Sequence, residues 1–141
     1  MTSIGRLAGA QVHVGQYLAF GVNHKCGEVG AKPGTHPIIS CGGKQGRYVS
    51  VMIPRSESLH FCEVHVFGER VTAPSVEFLE LKGKPIEDSG VFEDKHATNA
   101  VDGMMNTCFQ SKKVEEDVWW QVDLQDSYKI ESVQLFNPGA K

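Results

Sequence analysis

GRYVSVMIP, residues 46–54, alternates between two faces without interruption. Tyr48, Ser50 and Met52 fall on one side, and Val49, Val51 and Ile53 on the other. That is the period of a β-strand. A short loop later LHFCEVHVFG, residues 59–68, does the same. Cys62, Val64 and Val66 share one face; Phe61, Glu63, His65 and Phe67 share the other. GAQVHVG (9–15), VWWQVDL (118–124) and YKIESVQLF (128–136) complete the set. Each run is short and bounded by Gly, Pro, Asn or Ser, as in an antiparallel sandwich or barrel. No long stretch keeps apolar residues at helical spacing. The best helical candidate is one turn around KHATNAVDG (95–103). The chain is expected to be all-β.

The bulk numbers agree with one globular domain. The chain has 141 residues, 40% hydrophobic and 22% charged, with a formal net charge of -3. No Lys/Arg run points to nucleic acid, and no apolar run is long enough for membrane insertion. The opening MTSIGRLAGAQVHVG lacks the apolar stretch of a secretion signal. ERVTAPSVEFLELKGKP (69–85) is the least patterned span. It reads as a joining segment that becomes an edge strand around Phe78 to Leu81.

Cys26, Cys41, Cys62 and Cys108 allow two readings. One is a zinc site drawn from His24, Cys26, His36 and Cys41. The other is two disulfides in an oxidising compartment. No CxxC pair is present, which favours disulfides and a secreted or extracellular protein. The six histidines show no ligand spacing. CGGKQG (41–46) lacks phosphate-loop spacing, and no nucleophile elbow or paired-carboxylate motif occurs, so an enzyme is not expected. NAVDGMMNTC (99–108) suits a hard cation: Asp102 brings a carboxylate, Thr107 a hydroxyl, and the Gly103 turn can bend carbonyls inward. The competing explanation is an Asx turn closed on itself. Trp119 and Trp120 could stack on a sugar, but in a strand they suit a core, where the Trp120 indole N–H needs an acceptor.

LKGKP, ATNAVDG, WWQVDL and YKIESVQLFN together resemble the opening half of the F-type lectin (fucolectin) family. RLAGAQVHVG, CGEVG, GRYVSVMIP and LHFCEVHVFG resemble its closing half. The resemblance covers nearly the whole chain, with the halves exchanged. Residues 1–68 match the family's C-terminal half, 69–85 join, and 80–141 match its N-terminal half. A fragment of a tandem array or a circular permutation would each give that order. Half a sandwich would expose Trp119, Trp120, Val122 and Leu135, which favours a single permuted domain over 1–141.

The resemblance implies a discoidin-like β-sandwich or jelly-roll barrel, circularly permuted. It implies disulfides Cys62–Cys108 and Cys26–Cys41. It implies a structural Ca2+ held by Asn99, Asp102, Met104, Thr107, Cys62 and Glu63, with main-chain carbonyls serving at Asn99, Met104 and Cys62. Its ligand is L-fucose on glycans, held in the family by a histidine and two arginines. Arg6 matches one arginine. The other position reads Pro138, which has neither charge nor N–H, and the histidine position falls near Gln110. Lys112, Lys113 or Lys141 could supply the missing charge. Arg6, Gln110 and Lys141 are therefore the expected sugar contacts, and fucosylated glycoconjugates the expected partners, with homo-oligomerisation left open. The alternative is the same scaffold without fucose binding, serving as a protein-interaction module or binding a different glycan.

Overall fold

Two long antiparallel strands carry the architecture. The computed structural model describes residues 7–18, 23–30, 36–53, 58–112 and 117–136. Among them β3 (Ile38–Ile53) and β9 (Val118–Phe136) pair from Ile53↔Val118 at one end to Ile38↔Gln134 at the other. The remaining strands are β1 (Gln11–Gly15), β2 (His24–Glu28), β4 (His60–Phe61), β5 (Glu63–Arg70), β6 (Ala73–Leu79), β7 (Ile86–Asp88) and β8 (Phe109–Gln110). The main sheet runs β2-β1-β3-β9-β5-β6, with β7 also on β9, and β4 and β8 form a separate pair. All pairings are antiparallel. A 3₁₀ turn, Ala97–Val101, lies where the sequence places a helical turn.

The long strands take different neighbours along their length. The end of β3 takes β1 (Gln11↔Met52), and the start of β9 takes β7 (Ile86↔Val122). The second part of β9 takes β5, from Arg70↔Tyr128 to Glu63↔Phe136. Between these parts the β3–β9 ladder shifts register, at a corner. Gln125 adopts a left-handed conformation (φ 67°), and its N–H donates to Asp123 Oδ1 at 2.8 Å. Arg47 braces the same carboxylate with two bonds, at 2.7 and 2.9 Å. Opposite, a Cβ on Gly46 would meet Val14 Cγ1 at 2.6 Å and the Gly15 nitrogen at 2.7 Å. Only glycine lets β1 and β3 approach that closely.

One apolar core spans both halves of the chain. Val12, Val14, Val49, Val51 and Ile53 join Val64, Val66, Val122, Val133 and Leu135 in it. Trp120 is fully buried, edge-on to Phe61 with centroids 5.6 Å apart. Its indole N–H donates to the Ala97 carbonyl at 3.1 Å. A side chain so placed costs about 3–5 kcal/mol when cut to alanine. Trp120 is thus a core residue, while Trp119 is half-buried.

All four cysteines are paired, Cys26 with Cys41 and Cys62 with Cys108, so no zinc site uses them. Two details depart from the periodicity. The 59–68 run breaks at Cys62, where the chain passes from β4 to β5. Phe61 therefore does not share the outer face of His65 and Phe67; it packs inward on Phe109 and Trp120. The edge strand begins at Ala73 rather than around Phe78, because β5 and β6 form a hairpin closed at Arg70↔Ala73.

Candidate functional site

Glu63, Asp102 and Thr107 meet where β5 starts beside the loop after the 3₁₀ turn. Cys62–Cys108 holds the two segments together across a sequence separation of 46. Trp120 fixes the turn from below through Ala97. Asn99, within the turn, donates its side-chain amide to the Cys108 carbonyl at 3.0 Å. Asp102 accepts the Met104 N–H at 2.9 Å on Oδ1 and the Thr107 hydroxyl on Oδ2. The Thr107 hydroxyl also lies 3.3 Å from the Met104 carbonyl oxygen. The Gly103 N–H donates to Glu63 Oε2 at 2.9 Å.

Glu63 is only 3% exposed. Burial, opposed by the Gly103 N–H and reinforced by Asp102, pushes its carboxyl up to about 7. Asp102 is held low: burial pushes the other way, but the Thr107 hydroxyl and the Met104 N–H outweigh it. Each carboxyl acts on the other in opposite senses: Asp102 helps to raise Glu63, and Glu63 helps to hold Asp102 low. His65, two residues along β5, places Nε2 3.4 Å from Glu63 Oε1. Burial lowers its imidazole pKa, against the pull of Glu80.

The donor set fits a hard cation. Two carboxylates, one hydroxyl and a turn carbonyl lie close together, oxygens of the kind a hard cation takes. Among the described residues no three His, Cys, Asp or Glu side chains form a metal cage, so a cation here would rely on carbonyl and hydroxyl oxygens as well. The structure brings together Glu63, Asp102, Met104 and Thr107. Asn99 and Cys62 flank them, Asn99 through its amide and Cys62 through the disulfide; the Cys62 N–H donates to the Phe136 carbonyl at 2.9 Å.

The expected sugar contacts are described only at Gln110. Arg6, Lys113, Pro138 and Lys141 lie outside the described residues. Gln110 is half-buried in β8, opposite His60. Its main chain is held on both sides: its N–H donates to the Lys95 carbonyl at 3.2 Å, and its carbonyl accepts from Phe92 at 2.9 Å. β8 begins directly after Cys108, so Gln110 and the carboxylate loop share one disulfide anchor. Lys112 is exposed beyond it, its N–H bonded to the Gly90 carbonyl at 3.0 Å.

Residues 99–141 match the family model of the NedA-like, galactose-binding domain (F5/F8 type C). That similarity is confined to the closing part of an all-β chain. The match begins at Asn99 and takes in the carboxylate loop, Gln110 and all of β9. A fucolectin from Anguilla anguilla is 43% identical to this chain over 72 residues, covering 48% of this chain and 46% of that protein. The match thus spans about half the length of the curated relative. No solved structure matches the domain significantly.

Sequence reasoning did not single out His65. Its signal was present, because residues two apart on a strand share a face. The burial of Glu63 had no such signal, since it depends on the 3₁₀ turn folding over β5.

Proposed function

We propose that this domain is a non-catalytic lectin, secreted or extracellular, that binds L-fucose-containing glycans and carries a structural Ca2+. The observation that carries this reading is the 43% identity to a fucolectin, supported by the match to a galactose-binding domain model. Glu63, Asp102, Thr107 and the Met104 carbonyl would hold the ion, with Asn99 and Cys62 completing the set. Its part is to neutralise the two carboxylates and fix the loop that leads into β8 and Gln110. Two disulfides suit an oxidising compartment.

Arg6 and Gln110 would hydrogen-bond the sugar, with Lys141 as the additional cation. The exchanged order of the halves is best explained by circular permutation. That is supported by β9, from the second half, lying between β3 and β5 of the first. A second reading has one observation in its favour. Gln110 stands where the family has histidine; a glutamine both donates and accepts, which suits a different neutral glycan. A glycan array probed with and without free L-fucose separates the two. Signals that fucose competes away support the first, and signals that persist support the second. An array without signal would refute both.

A further inference from the structure

The corner of β9 opens a cavity of about 220 Å³ that belongs neither to the carboxylate loop nor to Gln110. Its walls come from the end of β5, from β6, from the turn that follows it, and from Leu124 and Tyr128 on either side of the bend. Tyr128 is 7% exposed and part of the core cluster. Arg70, its Cα partner across the ladder, lies over its ring at 5.5 Å and reaches Asp126 at 4.0 Å. The guanidinium is therefore oriented in advance, by a stacked ring and a carboxylate. Phe78 adds an apolar wall that is 44% exposed, well above what a core aromatic shows. Glu77, Glu80, Arg70 and Lys84 supply two carboxylates and two cations.

We propose that this cavity binds a neutral sugar ring, at a site separate from the one assigned to Gln110. A pyranose presents a face of C–H groups and a rim of hydroxyls that both donate and accept. The Phe78 wall suits the first. The mixed charged rim suits the second: carboxylates accept from hydroxyls, and Arg70 and Lys84 donate to them, in charge-assisted bonds. The lining itself holds two charges of each sign, and Asp126, outside it, is paired with Arg70, so the rim offers donors and acceptors to hydroxyls rather than a field of one sign, which suits a neutral ring. The cavity holds a single ring rather than a drug-sized ligand, whose pockets begin at about 300 Å³. The assignment does not depend on fucose binding at Gln110.

The test is a backbone amide NMR titration with D-galactose, D-mannose and L-fucose, beside D-glucuronate and D-glucosamine as charged counterparts. At least one neutral sugar should give saturable shifts at residues 77–84 and 125–128. Its charged counterparts should bind at least about tenfold more weakly. Phe78→Ala should weaken binding about tenfold, a loss of about 1.4 kcal/mol. Glu77→Gln, a change at an exposed position that leaves the sheet intact, should weaken it as well. Absence of saturable shifts in those two segments, or unchanged affinity in Glu77→Gln, would overturn the proposal. Shifts confined to 108–112 would also overturn it while leaving the lectin reading in place. Shifts at 77–84 and 125–128 alone would support it even if fucose binding at Gln110 failed.

Discussion

Glu63→Gln should change sign in its effect on stability when calcium is added. Without a cation, the folded protein holds a proton on Glu63 up to about pH 7, against 4.5 for the ordinary group. The folded state therefore binds more protons than the unfolded chain between those values. Stability is highest below about 4.5, falls as pH rises through the window, and carries its full penalty above 7. The difference corresponds to at most about 3 kcal/mol, and screening at the open side of the loop leaves about 1–2 kcal/mol. Glutamine carries no charge and can still accept the Gly103 N–H. In EDTA at pH 8 the variant should thus melt higher than the parent by about 4–8 °C, since about 1 kcal/mol corresponds to about 4 °C at this chain length. At pH 5 the gap should close. In millimolar calcium the order should reverse at pH 8, because only the parent offers two carboxylates to the ion. Thermal melts of both proteins at the two pH values, with EDTA and with calcium, supply the readout. A variant less stable than the parent in EDTA at pH 8, or equal calcium stabilisation of both, would refute the reasoning.

Two further outcomes follow from the anchors of the site. Replacing Cys62 and Cys108 together by serine should cost about 4 kcal/mol in urea unfolding, against about 3 kcal/mol for Cys26 and Cys41, because the first bridge closes the longer loop; equal or inverted losses would contradict this. Trp120→Phe should cost about 1–2 kcal/mol by stranding the Ala97 carbonyl, and it should also shrink the rise in melting temperature on adding calcium, since Ala97 opens the turn that carries Asn99 and Asp102. An undiminished calcium increment would detach Trp120 from the loop.

The all-β fold was legible because GRYVSVMIP and its companions keep period two, and those runs lie largely in strands, with VWWQVDL and YKIESVQLF joined in β9 and β3 reaching back to Ile38. The disulfide pairs were implied by family resemblance rather than by spacing, and the structure contains both. Pro74 hid the first part of β6, because proline in a run argues against a strand unless the strand lies at an edge, as β6 does. Alternation put Phe61 on the outer face; the bend at Cys62, imposed by the bridge to Cys108, turns it into the core. For the carboxylate loop, residue types suggested oxygen ligands, but Glu63 was named only by the family resemblance; its strand pattern alone reads as an ordinary glutamate. Its burial arises from contact with a segment 40 residues away, which no local pattern encodes. Arg6, Pro138 and Lys141, which the family resemblance ties to the sugar site, lie outside the described residues.

The central claim, a fucose-binding lectin, is tested most directly by calorimetric titration of the calcium-loaded protein with L-fucose, repeated on Arg6→Ala and Gln110→Ala. The account predicts saturable binding in the parent, its loss in Arg6→Ala without a change in melting temperature, and a weaker constant in Gln110→Ala. Absence of binding by the folded, calcium-loaded parent, or affinity retained in both variants, would contradict it.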